Sequence, residues 1–220
     1  MLTDTDVNVS WGVALDGPDL YAAAQLLDDS EQRRAAAIRN DHTQRRFVSA
    51  HAMLRILVGQ QIGWDPKDLR FGNAGRYGKP ELVYPPIRVH FNIATAGDRV
   101  VCAVTESGQV GVDVESHEVI EEADAVGGIE EVLLTPAERD VLYEFPHRAG
   151  ALTRWWVRKE AILKATGEGL TIEPPRLEMS APDETPELLS WEGRAVPSLW
   201  ISDLDVGVGY EAAVVVLTPR

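Results

Sequence analysis

Gln109-Val110-Gly111-Val112-Asp113-Val114-Glu115 alternates residue by residue, and the whole chain is read outward from that alternation. A β-strand turns successive side chains to opposite faces. Val110, Val112 and Val114 therefore share one face, and Gly111, Asp113 and Glu115 share the other. The valine face predicts a core contact. The acidic face has two readings. One is a solvated edge of a half-buried strand. The other is a pair of carboxylates, two residues apart, converging on one hard cation, since Mg2+ is held by a few carboxylates together with substrate phosphates.

The same alternation runs through residues 7–14. After each strand and a spacer comes an acidic helix start, Asp28-Asp29-Ser30-Glu31 in the first half and Thr135-Pro136-Ala137-Glu138 in the second. Each half then offers a long amphipathic helix running into glycine, from residue 45 to about 59 and from residue 152 to about 167. Each half closes on β-rich sequence, around residues 89–105 and 199–217. Strand, then helices, then strands predicts α+β architecture rather than alternating βαβ units. A boundary near Gly108 gives two subdomains, 1–108 and 109–220. Each is expected to be a small, mostly antiparallel sheet packed with a long helix.

Composition narrows the function classes. The 220 residues carry a formal net charge of −14, which argues against nucleic acid and anionic membrane as partners. No apolar run approaches the roughly 20 residues that cross a bilayer. The acidic N-terminal start lacks the basic and apolar regions of a secretion signal, so a cytoplasmic location is expected. A single cysteine, Cys102, excludes a disulfide framework and a thiolate metal site within the chain.

In the segment from Leu152 to Ala165 the helical stripe runs through Leu152, Trp155, Trp156, Lys159, Ile162 and Leu163. Trp156, Glu160 and Lys164 form a row at its edge. Glu160 and Lys164 read either as an ordinary helical ion pair, worth about 0.2–0.5 kcal/mol, or as a cation ligand beside a phosphate contact.

Gly111-Val112-Asp113-Val114-Glu115, followed by Trp156-Val157-Arg158-Lys159-Glu160-Ala161-Ile162-Leu163-Lys164-Ala165, resembles the paired signatures of the 4′-phosphopantetheinyl transferase superfamily. Those signatures read G-x-D-x-E and W-x-x-K-E-A-x-x-K-A. Gly78-Lys79-Pro80, Phe91-Asn92 and Gly167-Glu168-Gly169-Leu170 follow in the family's order, and the likeness is to the surfactin-synthetase-activating type. The resemblance implies a monomer of two similar subdomains related by pseudo-twofold symmetry, with the active site at their interface. It implies transfer of 4′-phosphopantetheine from coenzyme A to a serine of an acyl or peptidyl carrier protein, releasing adenosine 3′,5′-bisphosphate. Asp113, Glu115 and Glu160 would hold Mg2+ at the pyrophosphate, with Lys164 on the same phosphates. Lys79, Arg46 and Thr95 would contact the coenzyme, and Glu138 matches a proposed general base.

The chain departs from the family after Phe91-Asn92, where a serine–histidine pair is usual and Ala94 and Thr95 stand instead. His51 occupies a position that is arginine in many relatives. Weak or rebuilt recognition of the coenzyme's 3′-phosphate is the expectation. The departure also prompts a rival reading, a non-catalytic coenzyme A- or carrier-binding relative, and a Mg2+-dependent pyrophosphate hydrolase is a third. His42, His90, His117 and His147 lack metal-ligand spacing and are assigned surface or cap roles. The glycine-rich run 72–78 is read as a turn.

Overall fold

The computed structural model describes residues 7–74 and 79–218. The chain divides into two compact units, Met1–Gly108 and Gln109–Arg220. Nearly all of the net negative charge falls in the second: the acids of the first are almost balanced by its lysines and arginines, whereas the runs Glu118–Asp124 and Glu130-Glu131 of the second are not.

In the first unit β1 (Asn8–Val13) is followed by α1 (Gly17–Ala24) and α2 (Asp29–Ala37). Asp28 caps α2 through Ser30 N–H and Glu31 N–H, and Glu31 returns the bond to Asp28 N–H, a complete capping box. The long helix α3 spans Asp41–Ile62 and so begins a turn earlier than the apolar stripe indicated, because Asn40 accepts from Thr43 N–H and sets the start there. Gly63, at φ 67°, ends it in the left-handed region that favours glycine. β2 (Arg70–Ala74) and β3 (Lys79–Tyr84) form an antiparallel pair. The glycine-rich run read as a turn is thus strand as far as Ala74, and its remaining residues 75–78 lie outside the described ones. β4 (His90–Ala96) and β5 (Arg99–Thr105) complete a sheet in the order β1-β5-β4. It packs on α3 through Leu54, Val58, Phe91, Cys102 and Val104.

The second unit begins with β6 (Gln109–Ser116), then α4 (His117–Val126), α5 (Ile129–Leu133), α6 (Pro136–Leu142) and the long α7 (Arg148–Thr166). His147 caps α7 by accepting from Gly150 N–H at 2.8 Å, and Gly167 ends it at φ 77°. The short strands β7 (Leu177–Met179) and β8 (Leu188–Trp191) pair with each other. β9 (Leu199–Leu204) and β10 (Tyr210–Leu217) join β6 in a second antiparallel sheet, β6-β10-β9. Its core contact with α7 runs through Leu152, Trp155, Ile162, Ala213 and Val215. Taken separately, each unit is a three-stranded antiparallel sheet on a long helix, with its first strand at one edge and its last strand in the centre. Among the described residues no helix is long and apolar enough to cross a membrane.

Candidate active site

The acidic face of β6 is the face that α7 covers. A Cβ placed on Gly111 would sit 2.1 Å from the Ala161 carbonyl oxygen and 2.4 Å from the Ala165 N. Only glycine lets the helix backbone lie this close, and alanines at 161 and 165 keep the helix side of the contact equally thin. This close approach fixes where the rest of α7 falls along the strand.

Two residues further along β6, Asp113 is buried and accepts from Lys164 Nζ at 2.6 Å, while the same ammonium reaches the Val112 carbonyl at 3.2 Å. Glu160, one turn before Lys164, is buried as well, and its Oε1 has no hydrogen-bond partner among the described residues. Burial first, and then the charge of Asp113, raise the Glu160 carboxyl against the opposing pull of Lys164, to about 7 in all. Burial also raises Asp113, against the opposing pull of Lys164. Two buried acids thus face one ammonium, and an unpaired carboxylate oxygen out of water is costly unless a cation or donor reaches it. This donor set fits a hard divalent cation.

Glu115 lies on the same strand face but is only half buried, and its Oε1 accepts from Ser116 N–H at 2.7 Å. It stands directly across from Glu211 of β10, a like-charge pair that α7 offsets: Arg154 grips Glu211 with two bonds of 2.9 and 3.0 Å. Among the described residues, no three His, Cys, Asp or Glu side chains are gathered as a ready metal cluster. The structure therefore brings Asp113, Glu160 and Lys164 together and leaves Glu115 beside them, turned to the backbone.

Glu138 is placed differently. It is buried, its Oε2 accepts from Thr135 N–H at 2.8 Å and from Lys159 Nζ at 2.5 Å, and its Oε1 accepts from Met179 N–H at 2.8 Å. Lys159 is wholly buried and also reaches the Leu133 carbonyl at 2.8 Å. Burial holds the Lys159 ammonium below its ordinary range, while Glu138 pulls it back up. The pair ties α6 and the end of β7 to α7, and three donors already occupy the Glu138 oxygens. Arg158, on the same helix, performs a similar task, held by both oxygens of Asp203 at 2.9 and 2.6 Å and by loop carbonyls. Sequence patterning placed Lys159 on the apolar stripe without revealing why; a buried lysine signals a buried acid, and Glu138 is that acid.

In the first unit, Arg46 and Thr95 line one small cleft of about 200 Å³ together with Thr43, Ala94 and His51. Arg46 donates to the Gly97 carbonyl at 3.1 Å. His51 stacks on Phe47 with ring centroids 4.0 Å apart, and its Nδ1 lies 2.9 Å from Glu31. Lys79 opens β3, and its side chain lies outside the described residues.

A strand of G-x-D-x-E pattern under a helix bearing acid and lysine, with glycine at the crossing, defines a class. Residues 109–215 match the model of the 4′-phosphopantetheinyl transferase superfamily. The match lies within the second unit and covers just under half of the chain, which over that stretch is similar to the superfamily. It is 29% identical over 166 residues to the 4′-phosphopantetheinyl transferase HetI of Nostoc sp., covering 73% of this chain and 68% of that protein. It is 29% identical over 175 residues to a 4′-phosphopantetheinyl transferase of Bacillus subtilis, covering 74% and 71%. With the transferase psf-1 of Bacillus pumilus it shares 31% identity over 149 residues, 64% of this chain and 59% of that one. Among solved structures it is similar to a holo-(acyl-carrier-protein) synthase from Bacillus anthracis in complex with CoA (3′,5′-ADP). The TM-score there is 0.44 at 22% identity, covering 51% of this chain and 96% of that one.

Proposed function

We propose that the chain transfers the 4′-phosphopantetheine group of coenzyme A to a serine hydroxyl of an apo acyl or peptidyl carrier protein, releasing adenosine 3′,5′-bisphosphate. It would act as a cytoplasmic monomer. The observation that carries this reading is the partnerless Oε1 of buried Glu160 beside Asp113 and Lys164. Asp113 and Glu160 would hold Mg2+, joined by Glu115 if its side chain leaves the Ser116 amide. When bound, Mg2+ supplies positive charge to the phosphoryl oxygens and the departing phosphate.

The chain's own residues do the rest. Lys164, on a flexible stem, carries its ammonium beside the two acids and is placed to neutralise phosphate charge. A serine hydroxyl is a weak nucleophile near neutral pH and needs a proton acceptor. Glu160 keeps one oxygen without a hydrogen-bond partner among the described residues and so suits that task better than Glu138, whose oxygens already serve three donors. Arg46 supplies a cation, and Thr95 a hydroxyl, to the cleft that would take a phosphate of the coenzyme, with Lys79 as a further candidate. Ala94 contributes no polar group there, so recognition of the 3′-phosphate is either rebuilt from these cations or weak, and in the weak case coenzyme A and its 3′-dephospho form should serve almost equally as donors. A strong preference for coenzyme A would remove that part of the reading.

The deciding experiment incubates the protein with Mg2+, coenzyme A and an apo carrier protein, then weighs the carrier. A gain of one phosphopantetheine group is expected. Binding of coenzyme A without a gain by any carrier would favour the non-catalytic relative, and cleavage of coenzyme A without carrier would favour a hydrolase.

A further inference from the structure

The first unit contains an apolar groove of about 740 Å³ that the transfer reaction does not use. Its floor is α3, including Met53, Ile56 and Leu57; one wall is β1 at Gly12 and Val13, and the other is α1 at Asp19 and Ala22. Val13 is 51% and Ile56 40% exposed, so two large apolar side chains face solvent at this place.

The wall formed by β1 is a strand edge. In the sheet order β1-β5-β4, β1 is outermost. Ala14 N–H donates to the Asp98 carbonyl at 2.7 Å, continuing the register Val13↔Arg99 and Gly12↔Val100. Bonding alternates along an antiparallel ladder. Ser10, Gly12 and Ala14 therefore face β5, and Val9, Trp11 and Val13 turn N–H and C=O outward, where no strand pairs with them among the described residues. An open edge of this kind is a template for one more strand.

We propose that this groove binds an extended peptide segment of a partner protein, added to β1 as a fourth strand, with alternate apolar side chains on α3 and a lysine or arginine at Asp19. Strands pair at about 4.7–4.9 Å, and the groove lies between β1 and α1, beside the open edge. α1 lines the groove opposite β1, which favours a single extended segment over the sheet edge of a second copy. The charge preference follows from Asp19, the one charged residue lining the groove, which has no ion pair among the described residues. The inference is independent of the transfer chemistry.

The test uses the isotope-labelled full chain and a hexapeptide alternating valine and threonine with one terminal lysine. Binding should shift the Val9, Trp11 and Val13 amides and slow their exchange. Val13→Pro removes an outward donor without touching the ladder to β5 and should weaken binding about tenfold. Ile56→Asp should weaken it similarly, and Asp19→Lys should reverse the preference in favour of a glutamate-bearing peptide. Unshifted amides at millimolar peptide, or wild-type binding by folded Val13→Pro, would overturn the proposal. So would sedimentation as a dimer that protects the same three amides without peptide.

Discussion

β1 and β6 open their units in the same way, each an edge strand of alternating sequence with a glycine turned toward the long helix of its own unit, and they differ in how near that helix lies. A Cβ on Gly12 would meet only the flexible Met53 Cε, at 3.4 Å, whereas one on Gly111 would run into helix backbone. β1 keeps exposed Trp11 and Val13, but five consecutive residues of β6, Val110–Val114, are buried. Acids can be drawn out of water on β6 because the helix above it has no room for solvent and brings Lys164 with it. The same pattern in the first unit yields a groove, and in the second a candidate site. Proximity to the helix backbone, more than the alternation itself, separates a surface strand from a buried one.

Variants can break this comparison at several strengths. Lys159→Met strands Glu138 in the core and should cost about 3–5 kcal/mol in denaturant unfolding. Pairing it with Glu138→Leu should recover much of the loss, whereas a merely exposed pair would show almost none. Asp113→Ala and Glu160→Ala should each lower carrier modification about 100- to 1000-fold while keeping the wild-type circular dichroism. Near-wild-type rates with magnesium as the only metal would remove these residues from the site. Gly111→Ala should cost about 3 kcal/mol, since backbone on the helix side cannot yield as a side chain does, and Gly12→Ala should stay within about 0.5 kcal/mol. Equal costs for the two glycines would erase the distinction drawn above.

The smallest effect concerns pH. Glu160 is raised when folded, so without divalent ions its share of stability is complete below the ordinary carboxylate range and is lost as pH rises through about 7. Thermal unfolding of wild type against Glu160→Gln between pH 4 and 8 should show the wild type falling more steeply, and added Mg2+ should restore it. Parallel profiles would show that the carboxyl is not perturbed.

Much of this was legible before any coordinates. The alternation at Val110–Glu115, the acidic helix starts at Asp28 and Thr135, and the glycines after both long helices placed the elements, because each rests on local chemistry. Glu160 and Lys164 were legible as a pair at the edge of a stripe. What sequence spacing does not carry is which face of β6 the helix would choose. The acidic face looked like the solvated one, and only the missing Cβ at Gly111 explains why it is covered. Glu138 was ambiguous for a similar reason: a glutamate at a helix start has a local explanation, and its buried partner lies 21 residues away in Lys159. The groove beside β1 was invisible, since an unpaired edge is a property of the sheet and leaves no mark in the strand's own residues.

The contact of Gly111 with Ala161 and Ala165 has a mechanical consequence. Strand and helix are seated with no slack, so repulsion between Asp113 and Glu160 cannot be relieved by sliding one element over the other. Any rearrangement when a new charge arrives is confined to side-chain rotation, of the four-carbon stem of Lys164 and of Glu115 as it leaves the Ser116 amide. The site should therefore respond as swinging side chains on a rigid frame, quickly and without local unfolding.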